Sequence, residues 1–183
     1  RGDVMIIHER NSAQFFALLL YPFVKAYLAI NGSTEGIILA GRYLYLSWML
    51  IVCLCLYIRF RKSYPTAAIA LSVMLLLYVP NQIMATSYYT LGLVCTLLLT
   101  LLLAFPCKNK KAGNFLMGLL YAVMVLCNPL MILMIFAVVI IRIISAIKNG
   151  KKLISFDDCY ILFGIVALAA PYIVYILINA PLK

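Results

Sequence analysis

Scarce acidic residues gather at the start of this chain. The 183 residues include five Asp and Glu, and Asp3, Glu9 and Glu35 fall within the first 35 positions, as does the single histidine, His8. Carboxylates can act as general bases or as ligands of a divalent metal ion, so Asp3 and Glu9 are candidate catalytic residues. His8 has no partner at zinc-ligand spacing. The competing interpretation is a solvated loop whose acids carry no chemistry.

One arginine lies inside an apolar stretch. In the segment EGIILAGRYLYL, Arg42 comes about two helical turns after the apolar residues begin. Its guanidinium can pair with a phosphate in a bidentate fork, which makes it a candidate anchor for an anionic headgroup or for an acidic loop residue. The alternative is an arginine that extends its stem along the helix so that its charge reaches water.

The elements that would position these residues are apolar helices. The sequence is 67% hydrophobic and 11% charged, whereas soluble domains carry roughly 25% charged residues. Apolar runs of about 20 residues, long enough to cross a bilayer, recur along the chain. Runs such as LGLVCTLLLTLLLAF lack the alternation of a barrel strand. We therefore predict an all-α protein, a polytopic transmembrane helical bundle with an interfacial helix near its N-terminus.

The charge distribution and the cysteines indicate which classes of partner to expect. The net charge of +10 resides in short basic clusters between apolar runs, where such clusters set membrane topology. The six cysteines have no CxxC spacing and lie mostly inside apolar runs, which favours small buried side chains over a metal site. We expect the lipid bilayer as a partner and no nucleic acid.

We predict a single transmembrane domain over residues 1–183, and a fragment of a longer protein because the chain begins with Arg. Its parts are an exoplasmic loop at 1–12, an interfacial helix at 13–31 and six spans at about 36–58, 65–84, 88–105, 114–128, 130–147 and 156–178. Lys25 favours the interfacial placement, since a lysine at the bilayer centre costs about 2.5–3.5 kcal/mol. A spanning helix at 13–30 is the alternative, and it would put the opening loop in the cytoplasm.

Three basic clusters fix the predicted orientation. They are Arg59, Arg61 and Lys62; Lys108, Lys110 and Lys111; and Lys148, Lys151 and Lys152. Placing all three in the cytoplasm requires residues 114–147 to cross twice. Asn128-Pro129 is where this hairpin would turn, because proline disfavours helix in the residue before it. A single long kinked helix is the alternative.

The order of the segments adds a family resemblance. An acidic loop, GDVMIIHE, precedes AQFFALLLYPFVKAYL and then STEGIILAGRYLYL with its early arginine. YIRFRKSYPTAAIALSVMLLLYVP, SYYTLGLVCTLLLTLLLAF and GLLYAVMVLCNPLMILMIFAVVI follow. Over nearly the whole chain this order resembles the N-terminal half of a GT-C-type integral membrane glycosyltransferase, of the bacterial branch related to lipopolysaccharide-core and aminoarabinose transferases.

The resemblance implies a bacterial plasma-membrane enzyme, in which this fragment is not active alone. The enzyme would move a sugar from a polyprenyl-phosphate donor to an exoplasmic acceptor by inverting displacement at the anomeric carbon. Asp3 and Glu9 match the loop acids that activate the acceptor or hold a divalent metal, Mg²⁺ or Mn²⁺. The family often has an adjacent acidic pair, whereas Asp3 and Glu9 are six positions apart, so the choice of base stays open.

The resemblance also implies a donor site. Arg42 is similar to the arginine that opens the family's next span, and Tyr88 and Tyr89 begin a span where the family often has a short polar motif. Many members carry a lysine before the hairpin proline, and Asn128 takes that place here. The cation for the lipid phosphate is then missing or supplied by Arg42.

Two other functions remain open from the sequence. A multi-pass transporter or lipid flippase would need ionisable groups at mid-depth, yet residues 65–147 contain no acid. A non-catalytic membrane subunit would use the same helices without any site.

Overall fold

The computed structural model describes residues 14–79, 85–148 and 158–179, and this part of the chain is helical, with no strand. The helices are α1 Gln14–Asn31, α2 Ile37–Phe60, α3 Pro65–Leu77, α4 Tyr88–Ala104, α5 Lys110–Cys127, α6 Ile132–Lys148 and α7 Cys159–Asn179. The predicted all-α class is confirmed for these residues. The chain forms two compact units: the first comprises residues 16–105, and the main part of the second begins at Pro106. The single transmembrane domain over residues 1–183 stays a prediction.

In the first unit, α2 packs against α3 and α4. Tyr45, Met49 and Val52 recur at the spacing of one helix face and form a buried cluster with Val94 of α4. The α2–α3 contact also has a polar part: the thiol of Cys53 donates to the carbonyl oxygen of Ser72 at 3.3 Å, and the Ser72 hydroxyl donates to the Cys53 carbonyl at 3.3 Å. This reciprocal pair fixes the register of α3 on α2.

The turn between α1 and α2 requires a glycine. Gly36 has φ 76°, a left-handed backbone conformation that residues other than glycine rarely adopt. The Tyr27 hydroxyl donates to the carbonyl oxygen of Glu35, and a Cβ on Gly36 would lie 2.9 Å from that hydroxyl. The end of α1 is therefore tied to the start of α2.

Helix α3 is shorter than the span predicted at 65–84. It begins at Pro65, whose fixed φ suits the first helical position, and ends at Leu77. Tyr78 is extended, with φ −77° and ψ 116°. Pro80 follows in the sequence, and a residue before proline is biased away from helix, which ends the helix early. At 1.5 Å per residue the helix is about 20 Å long.

In the second unit, α5 and α7 cross at a pair of glycines. A Cβ on Gly118 would lie 2.1 Å from the carbonyl oxygen of Ile161, and one on Gly164 would lie 2.3 Å from that of Phe115. Close backbone approach through small residues is typical of helix pairs in membranes. Lys111 near the start of α5 lies over the Tyr160 ring near the start of α7, at 5.7 Å. The two helices are therefore parallel, and the chain must return between them.

Helix α6 follows a break at the predicted position. Helix α5 ends at Cys127, a 3-10 turn occupies Pro129–Met131, and α6 starts at Ile132. Helix α5 begins earlier than the predicted residue 114, because Asn109 caps it: its side-chain oxygen accepts from the Ala112 N–H at 3.3 Å. The lysines at 110 and 111 thus belong to the helix.

Two helices of the described chain are long and apolar enough to cross a membrane, Ile37–Phe60 and Lys110–Cys127. In their most apolar windows only 28% and 44% of the residues are buried. Large apolar side chains also lie exposed on the shorter helices, Leu77 of α3 and Ile147 of α6 among them. These helices leave apolar surface uncovered on several sides.

Candidate functional site

Asp3 and Glu9, the predicted catalytic acids, and the neighbouring His8 lie outside the described residues. Their roles as base or as ligands of Mg²⁺ or Mn²⁺ stay predictions. Within residues 14–79, 85–148 and 158–179, no three His, Cys, Asp or Glu side chains come together as a metal site. All six cysteines lie within this part, and none of them forms a disulfide.

Arg42 lies in the second turn of α2, on a face that the protein leaves open. Its side chain is exposed, and no hydrogen bond or ion pair joins it to another residue of the described part. The preceding residue, Gly41, is buried, and a Cβ there would lie 3.4 Å from the Thr86 hydroxyl oxygen. This turn of α2 therefore packs against the segment that leads into α4.

A capping box fixes the start of α4. The Ser87 hydroxyl accepts from the Thr90 N–H at 3.2 Å, and the Thr90 hydroxyl accepts from the Ser87 N–H at 2.8 Å. Thr90 is completely buried and its hydroxyl donates to the Ala85 carbonyl oxygen at 2.9 Å. Four residues at the entrance of α4 are thus held in one conformation beside Gly41.

Tyr88 and Tyr89 occupy the first turn that this box holds. Their ring centroids are 4.0 Å apart with 37° between the ring planes. Tyr89 is 46% exposed and Tyr88 is half-buried. Because Gly41 contacts Thr86, the tyrosine pair and Arg42 belong to the same end of the first unit. An exposed guanidinium at the same end of the unit as two phenol hydroxyls suits an anionic, hydroxyl-bearing ligand.

Asn128 lies in the second unit, where its side chain has a local role. Its side-chain oxygen accepts from the Leu130 N–H at 3.1 Å, and its own N–H donates to the Met124 carbonyl at 2.9 Å. These contacts close the turn between α5 and α6, which accounts for an asparagine in front of Pro129. Its part in donor binding stays a prediction.

The sequence analysis missed the residues that support this end of the first unit. Gly41, Thr86 and Thr90 were not singled out, although Ser87-Tyr-Tyr-Thr90 before an apolar run has the spacing of a capping box. With threonine in place of the usual Glu or Gln, that signal is weaker. No local pattern marks the contact of Gly41 with Thr86, because 45 positions separate the two residues.

Comparisons with known proteins add no relative to this picture. No model of a protein family matches the chain, and neither the curated proteins nor the solved structures include a match.

Proposed function

We propose that this chain belongs to a multi-pass glycosyltransferase of the bacterial plasma membrane, which transfers a sugar from a polyprenyl-phosphate donor to an exoplasmic acceptor. The observation that carries the proposal is the exposed guanidinium of Arg42, which no residue of the described part pairs, at the same end of its unit as Tyr88 and Tyr89. This arrangement offers a cation and hydroxyl groups to a lipid-linked sugar phosphate, as the segment order of the chain suggests.

The membrane placement draws support from burial. A core helix of a soluble protein buries its apolar face, whereas α2 and α5 leave most of their most apolar windows unburied. Ile38, Leu39 and Tyr43 on α2 are all more than half exposed. Contact of such apolar surface with lipid carries no hydrophobic cost, whereas its contact with water does. The shorter apolar helices would complete the bundle where the bilayer is thinner or where they stand closer to the membrane normal.

The parallel arrangement of α5 and α7 supports the predicted topology. A chain that leaves α5 at Cys127 and enters α7 beside Lys111 has to travel back along the length of α5. Helix α6 lies between them in the sequence and ends at Lys148. If the second and the third basic cluster both lie in the cytoplasm, the chain must cross the membrane twice between them. A return along α5 supplies the second crossing.

The proposed reaction is one displacement. The acceptor hydroxyl oxygen forms a bond to the anomeric carbon while the bond from that carbon to the lipid phosphate oxygen breaks, which inverts the configuration. A loop carboxylate, Asp3 or Glu9, takes the acceptor proton. Arg42 stabilises the negative charge that the departing lipid phosphate gains. A transporter or a flippase has no comparable observation in its favour, since helices α1 to α7 contain no acid.

The test is transfer by the purified full-length protein from a polyprenyl-phosphate-linked sugar. Asp3→Asn keeps the shape of the side chain and removes the proton acceptor, so it should lower kcat by about 10²-fold or more. Glu9→Gln should cost less if Glu9 only orients the acceptor or a metal ion. Arg42→Ala should raise the KM for the donor, whereas the matched control Arg61→Ala, at the other end of α2, should leave it unchanged. Wild-type activity in both the Asp3 and Glu9 variants would contradict the proposed base.

A further inference from the structure

The start of α5 gathers positive charge where the helix disfavours it. Lys110 and Lys111 are the first two residues of α5, and Lys108 precedes them. All three are exposed. The N-terminal end of a helix carries a partial positive charge, so cations there are destabilising. No acidic residue occurs in the first turn of α5.

The start of a second helix, α7, lies next to the start of α5. Because α5 and α7 are parallel, α7 starts beside the lysines, and the Lys111 ammonium lies 5.7 Å from the centre of the Tyr160 ring. The segment before α5 is held close, since a Cβ on Gly113 would lie 3.2 Å from the Cβ of Cys107. Asp158, which makes a contact of its own, is the acid that the structure describes at this end. Within the described residues, this one carboxylate does not balance three ammonium groups.

Apolar surface adjoins the charged end. One turn further along, Leu116 of α5 is 43% exposed, and Leu162 and Phe163 of α7 are 63% and 62% exposed. An apolar face directly beside a basic cluster matches the two parts of an anionic phospholipid: acyl chains along the helices and a phosphate among the ammonium groups. A soluble anion would use the charge and leave the apolar face uncovered.

We propose that the parallel starts of α5 and α7 form a binding site for one anionic phospholipid, whose headgroup lies at Lys108, Lys110 and Lys111 and whose chains cover Leu162 and Phe163. The inference rests on the proposed membrane placement and is independent of sugar transfer. The lipid supplies the negative charge that this end of α5 lacks, and Tyr160 holds Lys111 at the level of the headgroups. The site would anchor the α5–α7 pair at the cytoplasmic surface.

The test measures lipid selectivity of the full chain in vesicles, with spin-labelled phosphatidylglycerol compared with spin-labelled phosphatidylcholine. The wild type should prefer phosphatidylglycerol. Lys110→Gln/Lys111→Gln should lower that preference by at least about five-fold, since each lysine near an anionic surface contributes about that factor. Lys110→Arg/Lys111→Arg should retain it. Arg61→Gln/Lys62→Gln, at the end of α2, removes the same charge and should lower it by less.

Further measurements distinguish a failure of the lipid site from a failure of the membrane placement. Equal preference in the wild type and the Lys110→Gln/Lys111→Gln variant, with both inserted, would overturn the site. Displacement of the labelled lipid by inorganic phosphate would overturn the lipid as its occupant. Extraction of the wild-type chain from the vesicles by alkali would overturn the membrane placement. Loss of sugar transfer in an Asp3 variant with unchanged lipid selectivity would leave the lipid site standing.

Discussion

Replacing Gly118 by alanine should force α5 and α7 apart. The added Cβ would lie 2.1 Å from the Ile161 carbonyl oxygen, whereas ordinary contacts of this kind begin near 3.4 Å. The obstacle is backbone, so no rotamer change relieves it, and the helices must separate by about 1 Å. Overpacking of this kind costs roughly 1–3 kcal/mol. A gap of that size also removes a quarter to a half of each dispersion contact along the pair.

The opposing effect is smaller. Alanine favours helix over glycine by at most about 1 kcal/mol, so the clash should determine the sign. Gly164→Ala meets the Phe115 carbonyl oxygen at 2.3 Å and should have a similar effect. Because a single separation of the helices relieves both clashes, the double variant should cost less than the sum of the two single ones.

The assay is the free energy of unfolding by denaturant titration in mixed micelles. Gly41→Ala is the matched control: it is also a buried helix glycine, but its Cβ would meet only the Thr86 hydroxyl oxygen, at 3.4 Å. We expect this control to be neutral or slightly stabilising. Equal free energies of unfolding for Gly118→Ala and Gly41→Ala would show that the close parallel packing of α5 and α7 is wrong. The same conclusion would follow if the double variant lost the full sum of the free energies that the two single variants at the crossing lose.

Three further outcomes follow from the other contacts. Thr90→Val should lower the free energy of unfolding by about 1 kcal/mol, because it removes the capping box of α4 and leaves the Ala85 carbonyl oxygen without its donor; Thr100→Val, on the exposed side of α4, is the control. Ser72→Ala should cost about 0.6 kcal/mol, the typical value for a hydrogen bond between helices in a membrane, and an unchanged free energy of unfolding would contradict the reciprocal pair with Cys53. Cysteines introduced at Ser33 and at Lys110, in a background without native cysteines, should react with an impermeant reagent from opposite sides of the membrane, and labelling of both from one side would overturn the topology.

Local signals in the sequence were sufficient for the helices and most of their ends. The apolar runs predicted seven helical segments, and Pro65, Ser87 and Pro129 mark the points where helices start or break. Such signals act within one turn, since a cap or a proline changes the hydrogen bonds of its immediate neighbours. The same reasoning explains the misplaced start of α5: lysines taken for a loop are good helix formers once Asn109 caps them.

The arrangement of the helices was decided by contacts between distant residues. Gly118 and Gly164 are ordinary members of their apolar runs until α5 and α7 cross, and Gly41 gains its role only when Thr86 packs on it. The sequence therefore determined that Arg42, Tyr88 and Tyr89 belong to helices, and the tertiary structure decided that they share one end of a unit. The physical reason is that a helix formed by an apolar run offers similar surface on every side, so close packing of small residues and a few hydrogen bonds select the partners.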